Sequence, residues 1–182
     1  MKKIWPLFIL SLTQATALAK NTELLLTKQG LGPIKGNSKL DVKAIKQLLP
    51  NYDVNLKSYE QDGPTLKAIE VSKGGALLFV LSEDINQEKP GLIGKITVHN
   101  SQIKDSYGLK IGDSYQKILR KRKNLQHQRD DHYHSYLGDP QDPIYYELHW
   151  EYSKDYQGPD RETLTPEELK ATTIESLVWT AR

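Results

Sequence analysis

The chain has 182 residues, and its 25 Lys or Arg residues against 23 Asp or Glu residues give a formal charge of +2. It contains no cysteine, which excludes disulfides, thiolate metal sites and thiol-dependent catalysis. A charge this close to zero gives no support for nucleic-acid binding, which depends on a strongly basic surface.

Residues 1–19 have the layout of an export signal. Lys2 and Lys3 precede the apolar run Ile4–Leu12, and Ala17-Leu18-Ala19 then forms an A-x-A cleavage site. The run is too short to cross a bilayer as a helix, and Pro6 disfavours the alternative of a buried N-terminal helix. We expect a signal peptide that is cleaved after Ala19 and a mature chain in the periplasm of a Gram-negative bacterium.

The rest of the chain is expected to be one exported domain, residues 20–182. Because no cysteine stands at the cleavage site, we expect no lipid anchor. No later segment is apolar enough to predict a membrane span, and neither a repeat nor a linker divides the sequence.

Charge is distributed unevenly along this domain. Residues 20–129 carry 19 basic and 11 acidic residues, whereas residues 130–182 carry 4 basic and 12 acidic residues. The favoured interpretation is that the two parts attract each other and pack together. The alternative is a bipolar surface that docks a charged partner.

The first predicted elements are short. Leu24–Thr27 is a predicted strand, and the glycine-punctuated segment Gly30–Gly36 is predicted to be a structural turn, because it does not match a GxxxxGK[ST] phosphate loop. Asp41–Leu49 predicts a helix that Pro50 ends. Its predicted apolar side holds Val42, Ile45, Leu48 and Leu49.

A series of strands follows. The predicted strands are Tyr52–Tyr59, Leu66–Ser72, Ala76–Leu81 and Leu92–His99. Turns are predicted at Asp62-Gly63-Pro64 and Gly74-Gly75, and a polar loop is predicted over Ser82–Pro90. We place Ala76–Leu81 at the centre of the sheet because it is apolar throughout.

A short basic helix is predicted within Tyr107–Lys123. Asp113 is the predicted N-cap, and Tyr115, Ile118 and Leu119 form one apolar stripe. The basic run Arg120–Lys123, with Lys117 and Arg129, is interpreted as a solvated helix face with cations at the helix C-terminus. The alternative is a surface that binds an anionic partner such as lipid headgroups.

After a polar connection over Asn124–Asp131, an aromatic-rich hairpin is predicted around the loop Gly138–Pro143. One face of its strands holds Tyr133, Ser135, Leu137, Ile144, Tyr146, Leu148, Trp150 and Tyr152. Alignment of the apolar faces places Leu137 opposite Ile144 and Tyr133 opposite Leu148. These aromatic residues are more typical of a core than of a sugar-stacking platform.

The predicted register brings together His132, His134, Glu147 and His149, with His134 opposite Glu147 and His132 opposite His149. A His-x-His strand with a cross-strand histidine is a geometry that zinc or copper accepts. Polar residues are also expected on the solvent side of a sheet, so a solvated or hydrogen-bonded histidine face is favoured. We predict no metal and no cofactor, and retain these four residues as the candidates for a metal site.

No catalytic residue is predicted. Asp130-Asp131-His132 has suitable residue types, but neighbours along a strand point to opposite faces. The sequence has no G-x-S-x-G, H-E-x-x-H or S-x-x-K motif. A glycosidase carboxylate pair would leave no sequence signature, so that alternative stays open.

The C-terminal part predicts a turn, a helix and a strand. Gly158-Pro159-Asp160 is the turn, Thr165-Pro166-Glu167-Glu168 begins the helix with a capping box, and Ile174–Trp179 is the final strand. The whole pattern predicts a mainly β fold, an antiparallel sheet or sandwich with two or three short helices in a single domain.

Several segments together resemble one protein family. They are GPIKG at Gly32–Gly36, LLPNYDV at Leu48–Val54, GLKIGDSYQKI at Gly108–Ile118, GPD at Gly158–Asp160, and the late segments LTPEEL and SLVW. In this order they are similar to the YfeY-like envelope lipoproteins, a bacterial family described as regulated by the sigma-E stress factor. The resemblance implies a mainly β periplasmic protein without an established activity, and the missing lipid-anchoring cysteine is a departure from it.

The leading functional hypothesis is a non-catalytic periplasmic binding or envelope-maintenance protein. Its partner is expected to be an unknown protein or envelope component, with no nucleic acid, no membrane span and no lipid anchor. The alternative hypothesis is a proteinaceous inhibitor of, or immunity protein against, a cell-wall-degrading enzyme.

Overall fold

The structure is a computed structural model that describes residues 23–36, 38–60, 65–83, 91–129, 134–149 and 164–181. Several predicted features lie outside the described residues. They are the signal peptide with its cleavage site, the turns Asp62-Gly63-Pro64 and Gly158-Pro159-Asp160, most of the loop Ser82–Pro90, and the residues His132, Tyr133, Trp150 and Tyr152.

The described residues form short helices and strands. The helices are α1 (Val42–Leu48), α2 (Tyr115–Lys121) and α3 (Pro166–Ala171). The strands are β1 (Leu25–Thr27), β2 (Gly30–Leu31), β3 (Ile34–Lys35), β4 (Asp53–Glu60), β5 (Thr65–Lys73), β6 (Ala76–Ser82), β7 (Lys95–Val98), β8 (Lys104–Asp105), β9 (Gln126–Arg129), β10 (Ser135–Gly138), β11 (Ile144–His149) and β12 (Thr173–Thr180).

The strands form two sheets. The large sheet has the order β4-β5-β6-β7-β12-β11-β10-β9, and its neighbours are all antiparallel. The small sheet has the order β3-β2-β1-β8, with one parallel pair between β1 and β8. The prediction of a mainly β, largely antiparallel fold with short helices is confirmed. Within the described residues no helix has both the length and the apolar character that a bilayer crossing requires.

One face of the large sheet forms the core. Its inward residues include Phe79, Leu81, Val98 and Leu177, each fully buried. They belong to one apolar cluster with residues of the small sheet, α1, α2 and α3, such as Leu26, Leu31, Ile45, Ile118 and Leu169. The helices therefore cover a sheet face with an apolar stripe. The predicted apolar side of α1 is wrong for Leu48, which is 42% exposed.

The prediction for the centre of the sheet is wrong in detail. Ala76–Leu81 lies within β6, an interior strand, but the middle positions belong to β7 and β12. Because β12 has neighbours on both sides and packs on the core, residues 176–179 are all buried. Leu77, near the start of β6, is instead 38% exposed.

Helix ends follow local sequence signals, with one correction. Thr165 and Glu168 form the predicted capping box of α3, and Asp41 caps α1 by accepting from the Ala44 N–H at 2.7 Å. The predicted cap of α2 is wrong by one residue, because Ser114 is its N-cap. Asp113 instead accepts from the Lys110 N–H, which ties down the turn before the helix.

The predicted polar connection over Asn124–Asp131 is wrong for its central part. Gln126–Arg129 forms β9, which pairs antiparallel with β10 at the end of the large sheet. The strand contains no apolar residue, so it has no alternating hydrophobic pattern from which it could be predicted. A terminal strand needs only one partner, and backbone pairing to β10 is sufficient to order it.

A close contact between Gly36 and Trp179 joins the two sheets. A Cβ added at residue 36 would lie 1.9 Å from Cη2 of the Trp179 ring, and the Trp179 Nε1–H donates to the Lys28 carbonyl at 3.0 Å. The outer carbons of the indole therefore contact a backbone position at which a side chain has no space.

We expect Gly36→Ala to lower the free energy of unfolding by roughly 1–3 kcal/mol, because the methyl group overpacks the indole. Equilibrium urea unfolding measures this change. In a Trp179→Phe background the second ring is gone, so the same substitution should cost clearly less. Equal losses in both backgrounds would show that the contact is not the cause.

Candidate functional site

The hairpin of β10 and β11 forms as predicted, but its register differs. Leu137 lies opposite Tyr146 and Ser135 opposite Leu148, so the predicted register, with Leu137 opposite Ile144, is wrong by two residues. Ile144 extends beyond β10 and pairs with Trp179 of β12 instead. A shift of two residues keeps every side chain on its predicted face, since side chains alternate with a period of two.

The described histidines of this hairpin contact carboxylates in separate pairs. His134 Nδ1 lies 3.9 Å from Glu147 Oε1 and 3.2 Å from the Tyr136 hydroxyl. His149 Nδ1 lies 3.8 Å from Glu175 Oε2. Within the described part of the chain, which excludes His132, no group of three His, Cys, Asp or Glu residues converges as a metal site would require.

A cleft opens on the outer face of the large sheet, at the end formed by β9–β12. Its volume is about 250 Å³. Its described lining residues are Gln126, Gln128, Tyr136, Gly138, Asp139, Pro140, Tyr145 and Thr180. The lining therefore combines amide, phenol and hydroxyl groups with one carboxylate.

The shape of the cleft depends on the tyrosines and on Gly138. The rings of Tyr136 and Tyr145 meet edge to face, with centroids 5.6 Å apart. A Cβ at residue 138 would lie 2.6 Å from the Tyr145 Cβ, so glycine is needed opposite this tyrosine. The predicted hairpin aromatics thus divide between two environments, because Tyr146 is fully buried on the opposite face.

The loop that joins β10 to β11 forms one wall of the cleft. The Asp139 carboxylate accepts from the Gln141 N–H at 2.8 Å, and its carbonyl accepts from the Asp142 N–H at 2.9 Å. The Asp142 carboxylate accepts from the Ile144 N–H at 3.0 Å. These bonds give the loop a defined turn, and they turn Asp142 away from solvent.

Asp142 is the centre of a buried polar network. Its Oδ2 lies 3.2 Å from Arg122 Nη2 and 3.0 Å from Lys28 Nζ, and it accepts a short hydrogen bond from the Tyr107 hydroxyl. The side chains of Asp142 and Arg122 are only 4% and 3% exposed. This is an ion pair taken out of water, and its oxygens are satisfied by several donors.

Arg122 connects this carboxylate to the hairpin. Its Nη1 donates to the Ile144 carbonyl at 2.8 Å and to the Tyr146 hydroxyl at 3.1 Å. The guanidinium also lies over the Tyr107 ring, 4.4 Å from its centroid. The cation therefore has hydrogen-bond acceptors at its edge and a ring at its face.

Tyr146 and Asp105 complete the network. The Tyr146 hydroxyl donates to Asp105 Oδ2 at 2.7 Å. The other carboxylate oxygen of Asp105 accepts from the backbone N–H groups of Tyr107 and Leu109, at 2.9 and 2.8 Å. The network thus joins the small sheet, the end of α2 and the loop that forms the cleft wall.

The network shifts the ionisation of its members. Burial alone would raise the pKa of Asp142, but the hydrogen bonds from Tyr107, Ile144 and Lys28 and the charge of Arg122 outweigh it, so the pKa is lowered. Burial raises the pKa of Asp105 above its usual range, against the hydrogen bonds that it accepts. Burial, followed by the charge of Asp105, raises the pKa of Tyr146 far above that of a free phenol.

Sequence reasoning missed this network, although one signal was present. Arg122 follows Tyr115, Ile118 and Leu119 at the next helical interval, which places it on the apolar stripe of α2. The interpretation of Arg120–Lys123 as one solvated face is therefore wrong for Arg122, while Arg120, Lys121 and Lys123 are exposed. The basic run contributes a buried anchor as well as surface charge.

The network contains contacts of the kind that the favoured interpretation of the charge distribution expects. Lys28 and Arg122 come from the basic part of the chain, and Asp142 comes from the acidic part. Their contacts join segments far apart in sequence, as attraction between the two parts requires.

His127 is a further titratable residue beside the cleft, on the inner face of β9. It lies opposite Leu137, and both of its ring nitrogens are buried without a hydrogen-bond partner among the described residues. Burial, followed by the charge of Arg129, lowers the pKa of His127. The ring is therefore neutral near pH 7 and brings no charge to the cleft.

Fold and cleft together define a class: a mainly antiparallel β protein with an open cleft of mixed polar and apolar lining on the outer face of its sheet. The chain belongs to the family described as "Protein of unknown function (DUF1131)", whose family model matches residues 15–181. The predicted resemblance to the YfeY-like family is confirmed.

A solved structure with the same fold is that of the uncharacterized protein YfeY from Escherichia coli. The two chains are 22% identical, with a TM-score of 0.67, over 86% of this chain and 99% of the other. At this identity the similarity shows the fold. No curated protein matches the sequence.

We expect Asp142→Asn to destabilise the protein by about 3–5 kcal/mol, because it leaves the buried Arg122 cation without its counterion. Urea unfolding at neutral pH measures the loss. Glu167→Gln is the matched control, since its partner Lys170 is 57% exposed, and it should cost under about 1 kcal/mol. Similar losses for both variants would contradict a central role for the buried pair.

Stability should fall as pH rises above about 10, where unfolded tyrosines ionise. Folded Tyr146 keeps its proton there because its pKa is raised, so the unfolded state gains an ionisation that the folded state lacks. Tyr146→Phe should lose roughly 1–3 kcal/mol at neutral pH and show a flatter alkaline decline. Unfolding at a series of pH values tests this, and an unchanged alkaline slope would contradict it.

Proposed function

We propose that this protein is a non-catalytic binding protein of the bacterial cell envelope, and that the cleft holds a short segment of glycan. The observation that carries the proposal is the lining of the cleft, where glutamine amides and tyrosine rings face one space. An envelope location is supported by the export signal predicted in residues 1–19.

The lining suits a ligand that is polar and uncharged. Gln126 and Gln128 each offer both a donor and an acceptor, as the hydroxyl of Thr180 also does, and sugar hydroxyls need both. The tyrosines add apolar ring surface with a polar end, against which the C–H face of a sugar ring packs. A cleft of about 250 Å³ is smaller than a drug-sized pocket of roughly 300–1,000 Å³, which favours one or two rings over a long chain.

The same lining argues for binding without turnover. Hydrolysis of a glycosidic bond uses a pair of carboxyl groups, and acyl transfer uses a nucleophile beside a base. Among the described lining residues Asp139 is the one carboxylate, and it already accepts from the Gln141 N–H. The carboxyl groups and the phenol whose pKa values are shifted, Asp105, Asp142 and Tyr146, lie in the buried network, where they hold segments together.

We expect soluble peptidoglycan fragments or chitooligosaccharides to shift the NMR signals of residues that line the cleft. The double variant Gln126→Ala/Gln128→Ala should weaken the affinity at least fivefold, because it removes both glutamine amides from the cleft. Both side chains are exposed on a terminal strand, so their loss should leave the fold intact. Gln116→Ala, exposed on α2, is the matched control and should bind as the wild type does.

Three results would overturn the proposal: no shift with any fragment, shifts confined to another surface, or release of cleaved product during the titration. A lysozyme-like enzyme added to the same samples tests the inhibitor hypothesis. That hypothesis requires broad signal loss from a protein interface of roughly 800 Å² per partner.

A further inference from the structure

Among the described residues, no strand pairs with the outer side of β4, which lies at the end of the large sheet opposite to the cleft. β4 pairs with β5 on one side only, and residues 55–59 are all exposed. No hydrogen bond from the described residues reaches the backbone of β4 on its free side. The free side therefore presents a row of donors and acceptors that another strand can pair with.

This edge differs from the edge at the other end of the sheet. β9 has four residues, all polar or charged, whereas β4 has eight residues and two large apolar side chains that are strongly exposed. Leu56 is 55% exposed and Tyr59 is 44% exposed. Leu48 of α1, which packs beside β4, is 42% exposed, so three of the four most exposed large apolar residues in the described chain lie at this edge.

The sequence of β4 is complementary to itself when two copies run antiparallel. With the two-fold axis at Asn55, Asp53 of each copy lies opposite Lys57 of the other, and Val54 lies opposite Leu56. Two opposite-charge pairs then form on one face and two apolar pairs on the other. A two-fold arrangement of this kind is the usual interface of a homodimer.

Other symmetric registers are less complementary. An axis at Leu56 places Lys57 opposite Asn55, and an axis at Lys57 places two like charges opposite each other. With the axis at Asn55, Glu60 reaches Pro50 of the other copy, and Pro50 has no N–H to continue the ladder. In this register the pairing between the two strands therefore ends at Pro50.

We propose that two copies of this chain pair through β4, antiparallel and with the two-fold axis at Asn55, so that the two large sheets become one continuous sheet. The clefts lie at the far ends of this sheet and stay open, so the dimer does not depend on what the cleft binds. A lysine on a terminal strand normally discourages pairing. Here Lys57 has a matching carboxylate on the second copy.

Disulfide trapping tests the register directly, because the chain has no cysteine of its own. Opposed residues in antiparallel strands have Cα atoms about 4.5–5.5 Å apart, which is within the disulfide range of about 4.4–6.8 Å. Asn55→Cys should therefore form a covalent dimer under mild oxidation. Ser58→Cys, equally exposed on β4, would be about 20 Å from its copy at roughly 3.3 Å per residue and should form no disulfide cross-link.

Sedimentation equilibrium of charge variants tests the pairing without a cross-link. Lys57→Asp and Asp53→Lys should each weaken the dimer at least fivefold, and the double variant should restore the wild-type affinity within about twofold. Lys57 also lies 3.8 Å from Glu70 of its own chain, but that contact is lost equally in Lys57→Asp and in the double variant.

The dimer proposal is overturned if the wild type is monomeric at every concentration, if the charge swap fails to restore affinity, or if both cysteine variants cross-link equally. Circular dichroism of each variant confirms that the fold is retained. Cross-linking of Asn55→Cys alone, together with rescue by the charge swap, supports it.

Discussion

The ion pair between Arg122 and Asp142 is the contact on which the remaining architecture depends. It is removed from water at the point where α2, the small sheet and the β10–β11 loop meet. Charges in such a place are costly unless every donor and acceptor is satisfied. Here the guanidinium and both carboxylates of the network have close partners, and Tyr107 and Tyr146 add rings as well as hydroxyls. Because hydrogen bonds and ion pairs are directional, the network fixes one arrangement of these three segments more specifically than apolar packing alone would.

That arrangement also positions the cleft. Asp142 is held on the inner side of its loop, so Asp139 and Pro140 of the same loop form the cleft wall. Gly138 and Tyr145 complete the wall from the strands on either side. A cleft wall carried on a turn keeps a defined shape only when the turn is anchored, and the anchor here is a buried ion pair. Core and surface are therefore linked by a single loop of the chain.

Local signals in the sequence predicted most elements, whereas contacts between distant segments were not predictable. The capping box at Thr165, the glycine pair of the β5–β6 hairpin and the alternation in β11 each depend on neighbouring residues, and each was identified correctly. The strand β9 has no apolar alternation, and the hairpin register is set partly by β12, from which pairing with Ile144 comes. Arg122 lay on the apolar stripe of its helix, but only its partners from other segments explain why a cation is placed there. The cleft was missed for the same reason, since its lining comes from four strands and a loop.

The position of β12 has a consequence for how the protein folds and how it aggregates. The final strand of the chain lies between β7 and β11, in the middle of the large sheet. Without β12, the strands β4 to β7 and the strands β11, β10 and β9 have no backbone pairing that joins them in one sheet. The two groups of strands can therefore join only after β12 has been synthesised. Deletion of β12 as a whole would leave β7 and β11 each with an unpaired edge in the middle of the sheet, and unpaired strand edges favour aggregation.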